Sequence, residues 1–177
     1  MISKEYFYFI SEFNESEILT IKKKINIIYR NYRTPPNEAI LKKLLITCKK
    51  VGKKIFLSNN IKLALKLKLN GAYIPAFNKS TNLQINYKST FRLLGSAHNL
   101  KEIRIKENQG VDTIFIAPVF KTLKSTKYLG INKFNLLSKL TSKKVVALGG
   151  INENNKNNLK LLNCDGYAGI TFFKNKR

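Results

Sequence analysis

Apolar and polar positions alternate along the chain in blocks. Short apolar runs recur about every 20 residues, and polar or helix-like segments separate them. The runs are rich in Ile, Val, Phe and Tyr, the residue types that favour strands. They predict eight β-strands, each followed by a connecting segment. The predicted strands are Tyr6–Ser11, Ile25–Arg30, Lys54–Ser58, Gly71–Pro75, Phe91–Gly95, Thr113–Pro118, Lys144–Gly149 and Gly166–Thr171.

Two of the connecting segments carry a helical stripe. The segment from Asn37 to Gly52 has apolar residues at spacings of three and four and ends at a glycine, which predicts a helix. A shorter stripe precedes the seventh strand and predicts a second helix. The apolar positions are Ile40, Leu44, Cys48 and Val51 in the first stripe, and Phe134, Leu137 and Leu140 in the second.

One segment fits two patterns. The leucines from Leu63 to Leu69 alternate at period two, as in a strand, but Ile61, Leu65 and Leu69 also lie four apart, as on a helix. Leu, Lys and Ala are good helix formers, and the strand–helix rhythm of the chain favours a helix here. Residues 78–89 and 120–131 are predicted to be loops.

Strands that alternate with helices predict an α/β fold with a parallel sheet. Eight such units favour a compact (β/α)8 TIM barrel with some trimmed helices, and the structural alternative is an open, doubly wound sheet. No second-domain boundary stands out, so residues 1–177 are predicted to form a single domain. In a barrel of this kind, ligands bind at the carboxyl ends of the strands.

The composition narrows the classes of partner. The formal net charge is +23, from 33 Lys and Arg against 10 Asp and Glu, and it favours phosphate-bearing ligands. The lysines are spread along the whole chain and no nucleic-acid-binding motif accompanies them, so a nucleic-acid partner is not predicted. No apolar run reaches the roughly 18 residues of a membrane span. Two distant cysteines, Cys48 and Cys164, predict buried free thiols in a cytoplasmic protein, and a single histidine argues against zinc.

Polar or small residues follow the predicted strands. They offer arginines, lysines, amides, hydroxyls and bare backbone N–H groups, an inventory that suits anions better than hard cations. They are Arg30 to Arg33, Ser58 to Asn60, Ser96 to His98, Pro118 to Lys124, Gly149–Gly150 and Ile170–Thr171.

The glycine pair that ends the run "KVVALGGIN" has two interpretations. Gly149 and Gly150 either form a tight turn or let a phosphate oxygen approach the backbone without a Cβ in the way. Phosphate cradles are common at the seventh and eighth strand ends of such barrels. Together with the small residues after the eighth run, the pair favours phosphate.

Four stretches of the chain carry a resemblance to a known family. "LLGSAHNLKE", "IFIAPVFKT", "VVALGGINENN" and "CDGYAGIT" occur in this order, and together they resemble the thiamine phosphate synthase/TenI-like family. The resemblance implies a (β/α)8 barrel. Its synthases join a pyrimidine pyrophosphate to a thiazole phosphate with Mg²⁺ and release pyrophosphate, and its TenI-like members include a thiazole tautomerase.

The resemblance implies catalytic positions at three residues. The family's arginine at the end of strand two, which grips the pyrophosphate, matches Arg30. The lysine expected two residues later is Tyr32, and Arg33 is a candidate to replace its charge. The serine and histidine of the family's S-x-H stretch match Ser96 and His98.

The metal positions depart from the family pattern. The Asn-Asp pair after strand three falls on Ser58 and Asn59, and the second metal carboxylate falls on Asn78. Ser58 is therefore a substrate-binding candidate, while Asn59 and Asn78 replace two carboxylates that would hold Mg²⁺. The resemblance implies Mg²⁺ as cofactor, and the two amides weaken that expectation.

The remaining substrate-binding candidates come from the sixth, seventh and eighth strand ends. The family's F-P-T-x-T-K loop is kept only loosely, and two lysines compete for its lysine role. The candidates are Thr122, Lys124 or Lys127, Gly149, Gly150, Ile170 and Thr171.

Two of these residues have structural alternatives. His98 is either a helix-start residue, with Ser96 or Asn99 as N-cap, or a proton shuttle beside the ligand. Arg30 ends an apolar run in a chain with few acidic residues, so a ligand-binding role is favoured over a buried ion pair.

Three functions follow from these positions. The leading hypothesis is a thiamine phosphate synthase-type transferase acting on small phosphorylated pyrimidine and thiazole substrates. The alternatives are a thiazole tautomerase that works through His98, and a non-catalytic barrel that binds or senses a phosphate ligand.

Overall fold

Eight parallel strands form a closed barrel in strand order β1 to β8. The computed structural model describes residues 4–22, 24–81, 88–123, 125–170 and 172–173. The last strand pairs with the first, for example Tyr167 with Tyr6, which closes the sheet. The strands are β1 Glu5–Ile10, β2 Ile25–Tyr29, β3 Ile55–Ser58, β4 Gly71–Ile74, β5 Arg92–Ala97, β6 Thr113–Ile116, β7 Lys144–Leu148 and β8 Gly166–Gly169.

The barrel predicted from the alternating pattern is confirmed, and the open sheet is excluded by the pairing of β8 with β1. Each predicted strand corresponds to an observed one, with bounds that differ by at most two residues at either end. That residues 1–177 form a single domain stays a prediction.

Helices pack outside the barrel, and several are short. The α-helices are α1 Glu15–Thr20, α2 Glu38–Lys50, α3 Ile61–Lys66, α4 Leu100–Asn108 and α5 Gly130–Lys139, and a 3₁₀ helix covers Glu153–Leu161. The prediction of trimmed helices is confirmed by α1 and α3, with six residues each. Within the described ranges, no helix is long and apolar enough to cross a membrane.

The helical interpretation of the ambiguous leucine segment is confirmed by α3. Of the stripe predicted for α2, Leu44 and Cys48 are buried and Val51 is partly buried, but Ile40 is wrong. Ile40 is exposed, whereas Leu41 is fully buried beside Leu44 and Cys48. Ile40 and Leu41 stand four and three residues before Leu44, so both fit a helical stripe, and it is Leu41 that packs on the core. A similar difference ends the second stripe, since Leu140 follows α5 and is exposed.

The loop predictions hold in part. The described residues 120–123 and 125–129 contain no helix, and α5 begins at Gly130, inside the predicted loop. Of the predicted loop 78–89, residues 78–81 and 88–89 lie outside helices and strands, and residues 82–87 lie outside the described part. Cys48 is a buried free thiol as predicted, while Cys164 is only partly buried.

Aromatic rings fill the inside of the barrel. Alternate residues of each strand point inward and form one cluster, while the outward set packs beneath the helices. Phe115 lies at the centre, with ring centroids 5.0 Å from Phe7 and 5.4 Å from Tyr73. Phe9 lies 5.2 Å from Tyr73, and these pairs are edge-to-face. We call this cluster the aromatic plug: Phe7, Phe9, Ile28, Phe56, Tyr73, Leu94, Phe115, Val146 and Ala168.

Candidate active site

The closed parallel barrel brings the carboxyl ends of all eight strands to one mouth. Arg30 follows β2, Asn59 follows β3, Ser96 lies near the end of β5 and Gly149 follows β7, so these predicted residues share that mouth. Thr122 lies in the loop after β6. The predicted ligand contacts Lys124 and Thr171 lie outside the described residues.

Arg30 lies across the top of the aromatic plug. Its Cζ is 4.5 Å from the centroid of the Phe9 ring, a cation–π contact. The backbone N–H of Arg30 donates to the carbonyl of Ile10 at 2.8 Å, which continues the strand pairing and fixes the residue. No described carboxylate forms an ion pair with this guanidinium. Its positive charge is therefore available to an anion at the mouth.

Ser96 is tied to a tyrosine of the plug. The Ser96 side chain is hydrogen-bonded to Tyr73, and both residues are buried. Burial raises the pKa of the Tyr73 phenol to about 12, while the Ser96 bond and the Arg30 charge act in the opposite direction. Tyr73 therefore stays neutral at physiological pH.

His98 is held by a carboxylate on the next helix. Its Nδ1 lies 2.8 Å from Glu102 Oε2, and the backbone N–H of His98 donates to the same oxygen at 2.8 Å. Asn99 caps α4 by accepting from the backbone N–H of Glu102 at 3.0 Å, so the N-cap is Asn99 and the alternative, Ser96, is wrong. When Nδ1 donates to Glu102, Nε2 is the nitrogen that can accept a proton. The structural and functional interpretations of His98 are therefore compatible.

An aromatic pair lines a cavity beside the mouth. A cavity of about 500 Å³ lies among the loops after β2, β3 and β4, and Tyr32, Arg33, Ser58 and Phe77 line it. The Tyr32 and Phe77 rings meet edge-to-face at 5.4 Å. The Tyr32 hydroxyl lies 3.0 Å from Ser58 Oγ. Tyr32, at the position where the resemblance implies a lysine, thus contributes a hydroxyl and a ring face, and Arg33 is exposed at the rim.

The two positions that replace metal carboxylates bind each other. Asn78 Nδ2 donates to Asn59 Oδ1 at 2.8 Å. Asn59 adopts a left-handed backbone, with φ 58°, and its N–H donates to the Tyr73 carbonyl at 2.8 Å. Among the described residues, no group of three or more His, Cys, Asp or Glu side chains could hold a metal ion. Because Mg²⁺ is held through carboxylates, these residues do not fit a protein-bound Mg²⁺.

The glycine pair packs against the loop after β6. Gly149 and Gly150 have φ of 95° and 73°, values that favour glycine. A Cβ on Gly149 would lie 2.8 Å from Pro118 Cβ, and one on Gly150 would lie 2.4 Å from the carbonyl oxygen of Phe120. The Phe120 N–H also donates to the Gly149 carbonyl at 3.1 Å. The close approach here is that of another loop, so the chain itself requires both glycines, and phosphate binding stays a prediction.

The other predicted ligand contacts differ in their surroundings. The Thr122 hydroxyl accepts from the backbone N–H of Ser125 at 3.1 Å and so stabilises its own loop. Lys127 is exposed in the same loop. Ile170 follows β8 and is 49% exposed. None of these positions is fixed by the core, so their roles stay predictions.

Comparison with protein families decides the affiliation. The family model described as thiamine monophosphate synthase (TMP-TENI) matches residues 17–173. The chain belongs to this family. A thiamine-phosphate synthase of Prochlorococcus marinus is 28% identical over 155 residues, which cover 84% of this chain and 45% of the relative. One from Methanococcus vannielii is 26% identical over 118 residues, covering 66% and 57%. This chain therefore spans about half the length of these curated relatives.

Solved structures show the same fold for this family member. The thiamine phosphate pyrophosphorylase from Pyrococcus furiosus superposes with a TM-score of 0.79 at 21% identity, over 95% of this chain and 85% of that one. The corresponding protein from Bacteroides thetaiotaomicron gives a TM-score of 0.64 at 20% identity, over 95% and 83%. At this level of identity the likeness establishes the barrel only.

Sequence reasoning missed three residues that shape the site of this family member. Tyr73 occupies an inward position of β4, which its alternation with Ala72 and Ile74 signals. Glu102 stands three residues after Asn99, the spacing of a capping box. Lys106, whose ammonium donates to the carbonyls of Pro75 and Asn78, gave only a weak signal, since lysines are abundant along the whole chain.

Proposed function

We propose that this chain joins a hydroxymethylpyrimidine pyrophosphate to a thiazole phosphate and releases pyrophosphate. The observation that carries the proposal is the Arg30 guanidinium, which lies on the Phe9 ring at the mouth and pairs with no described carboxylate. A cation held in this way suits a phosphate-bearing substrate. Family membership supports the same reaction.

The reaction needs positive charge where the leaving group departs. When the bond between the pyrimidine methylene carbon and the pyrophosphate oxygen breaks, the electron pair leaves with the oxygen. We assign Arg30 to stabilise that developing charge, with Arg33 at the rim as a second cation. We assign Ser96, which lies beside Tyr73, and Ser58, which lies beside Tyr32, to donate to substrate oxygens or ring nitrogens.

The other end of the site is assigned to the thiazole phosphate. We propose that the backbone around Gly149, Gly150, Ile170 and Thr171 binds this phosphate, with Thr122 and either Lys124 or Lys127 closing over it. The open mouth and the net charge of +23 support an anion there.

The role of Mg²⁺ follows from the amide pair. Since Asn59 and Asn78 contribute no negative charge and already bond to each other, no step of the proposed reaction is assigned to a protein-bound metal. We propose that turnover depends less on Mg²⁺ than it would with aspartates at both positions.

A purified-protein assay tests the proposal. The chain is incubated with hydroxymethylpyrimidine pyrophosphate and thiazole phosphate, with and without Mg²⁺, and the coupled product and free pyrophosphate are quantified. Arg30→Ala should remove most of the turnover. Arg104→Ala is the matched control, because Arg104 is exposed on α4 and pairs with Glu107 at 2.6 Å. If the wild-type protein binds thiazole phosphate but forms no product, the transferase hypothesis is wrong and a non-catalytic binding function is favoured.

A thiazole tautomerase is the second candidate. The contact of His98 Nδ1 with Glu102 favours it, because a carboxylate-held imidazole can move a ring proton. The same protein preparation is therefore assayed for isomerisation of the thiazole alone.

For all three functions we propose small phosphorylated partners and a cytoplasmic location, with no nucleic-acid or membrane partner. The free thiols of Cys48 and Cys164 support that location.

A further inference from the structure

Lys106 on α4 is fully buried, with its ammonium group surrounded by acceptors. Nζ donates to the Pro75 carbonyl at 3.0 Å, to the Asn78 carbonyl at 2.7 Å and to Gln109 Oε1 at 2.7 Å. A lysine ammonium has three protons, and each has a partner here. The side chain therefore links α4 to the loop that follows β4.

Gln109 reinforces the same link. This residue follows α4, and its Nε2 donates to the Asn78 carbonyl at 3.0 Å and to the Ser80 carbonyl at 2.8 Å. Lys106 and Gln109 together hold the carbonyls of three residues within Pro75 to Ser80. We call these two side chains the loop clamp.

A glycine in β5 makes room for the clamp. A Cβ on Gly95 would lie 2.8 Å from Lys106 Cδ and 3.0 Å from Val111 Cγ1. The lysine stem therefore crosses the strand where there is no side chain. Burying an ammonium costs free energy that an apolar residue of the same volume would not cost. An apolar side chain would fill this space at a lower cost in free energy. We therefore interpret the clamp as a device that fixes the position of the loop.

The clamped loop carries two side chains of the candidate site. Asn78 bonds to Asn59 at 2.8 Å, and Phe77 contacts Tyr32 with ring centroids 5.4 Å apart. Both partners belong to loops that line the cavity beside the mouth. A shift of the clamped loop would therefore move one wall of that cavity and break the amide pair.

We propose that Lys106, assisted by Gln109, is a positioning residue that sets the affinity of the site for the diphosphate-bearing pyrimidine substrate. It acts through Asn78 and Phe77 and touches no substrate. The proposal rests on the proposed function, which assigns the pyrophosphate to the side of the mouth formed after β2, β3 and β4. The thiazole phosphate lies on the opposite side, after β7 and β8, and its binding should not depend on the clamp.

Lys106→Met is the test variant, since it keeps the unbranched stem out to the Cε position and removes the ammonium. Lys53→Met is the matched control. Lys53 is also buried, and its Nζ donates to the carbonyls of Ile21 at 2.9 Å and Lys22 at 2.7 Å, before β2 at the opposite end of the barrel. Both variants lose a buried ammonium that holds a loop, but only one of the loops is at the mouth.

Two measurements are compared. In Lys106→Met, amide hydrogen exchange at residues 76–80 should quicken by about tenfold or more, the effect expected from losing charge-assisted bonds, while Lys53→Met leaves it unchanged. The KM for the pyrimidine pyrophosphate should rise about tenfold in Lys106→Met. The KM for thiazole phosphate and kcat should stay within about twofold. A KM unchanged in spite of faster exchange, or exchange that is not altered, would overturn the proposal.

The proposed reaction and the positioning role of Lys106 can be tested separately. If wild-type protein shows no turnover, binding of inorganic pyrophosphate is measured by calorimetry in the same variants. Binding about tenfold weaker in Lys106→Met alone supports the positioning role, and equal binding overturns it. If Lys106→Met does not fold, Gln109→Glu replaces it, because glutamate keeps the acceptor for Lys106 and removes the donor to Asn78 and Ser80. A smaller change in the same direction supports the proposal, and no change overturns it.

Discussion

The side chains of Asn59 and Asn78 are joined by a hydrogen bond of 2.8 Å, although 19 residues separate them in the chain. Two carboxylates at this distance would repel each other unless a cation lay between them. Amides make the contact attractive without any cation. The loops after β3 and β4 are therefore held together at the mouth without a bound cation.

Restoring both carboxylates should make the protein respond to Mg²⁺. Without metal, the double variant Asn59→Asp with Asn78→Asp should be destabilised by about 1–3 kcal/mol, because the hydrogen bond is lost and two like charges face each other. Millimolar MgCl₂ should raise its melting temperature, but not that of the wild type. In the synthase assay, the same variant should gain Mg²⁺-dependent turnover.

The single variant Asn59→Asp controls for this prediction. Its carboxylate can still accept from Asn78 Nδ2, so its stability should stay within about 0.5 kcal/mol of the wild type and should not depend on Mg²⁺. A double variant whose melting temperature ignores Mg²⁺ would show that the two positions do not form a metal site even with carboxylates.

Arg30 and His98 separate a transferase from an isomerase. In a transferase, Arg30→Ala removes a charge-assisted contact to the leaving group, which costs on the order of 2–4 kcal/mol, or about 30-fold to 1,000-fold in rate. His98→Asn should then have the smaller effect, because release of pyrophosphate needs no proton relay. Steady-state rates of both variants check the order.

In a tautomerase the order reverses, since moving a ring proton needs a base and His98 is the sole histidine. Glu102→Gln should then lower the rate too, because Glu102 orients the imidazole. If neither Arg30→Ala nor His98→Asn changes any turnover, both enzyme hypotheses are wrong.

Replacing Gly149 should destabilise the fold, whether or not the residue also binds a ligand. Gly149→Ala combines a left-handed backbone with a Cβ 2.8 Å from Pro118, and it should lower the free energy of unfolding by about 3 kcal/mol. Gly52→Ala is the control, since its φ is +66° but nothing lies within 4 Å of the added Cβ, and it should cost only about 1–2 kcal/mol. Urea unfolding of both variants measures the difference. Equal losses would mean that the loop after β6 moves aside at no cost.

The stability of the protein should depend on the protonation of Lys106. Burial lowers its pKa from 10.5 to about 8, and the nearby Glu102 charge opposes that shift. Between these pH values the unfolded chain binds the proton and the folded chain does not, so stability rises with pH over this interval. Relative to Lys106→Met, the wild type should gain about 2–3 kcal/mol between pH 8 and pH 10.5.

Urea unfolding of both proteins at pH 7, 8, 9 and 10 checks this dependence, because the titration of other groups cancels in the difference. The gain should be absent below pH 8. A difference that is constant up to pH 10 would mean that Lys106 stays charged in the folded protein.

The strands and their common mouth could be predicted from the sequence because they depend on local patterns. Runs of β-branched and aromatic residues define strands, and closure of a parallel barrel then brings Arg30, Ser96 and Gly149 together. The first buried residue of α2 was less predictable, since Ile40 and Leu41 stand four and three residues before Leu44 and both fit a helical stripe.

The contacts that shape the site depend on distant loops and could not be predicted in this way. The Asn59–Asn78 bond requires the loop after β4 to be held by Lys106, and that lysine looks like a solvent-exposed helix residue in the sequence. Its two available signals are weak. Lys106 stands three residues after the buried Ile103, on the same face of α4, and Gly95 leaves space beside it.

The aromatic plug gives Arg30 surroundings of low dielectric constant on one side only. Beneath Arg30 lie the buried rings of the plug, and above it the mouth is open. The attraction between opposite charges is screened less by buried apolar groups than by solvent. An anion that settles over Phe9 and displaces the solvent above Arg30 would complete a low-dielectric enclosure, so its attraction to the guanidinium should strengthen as it docks.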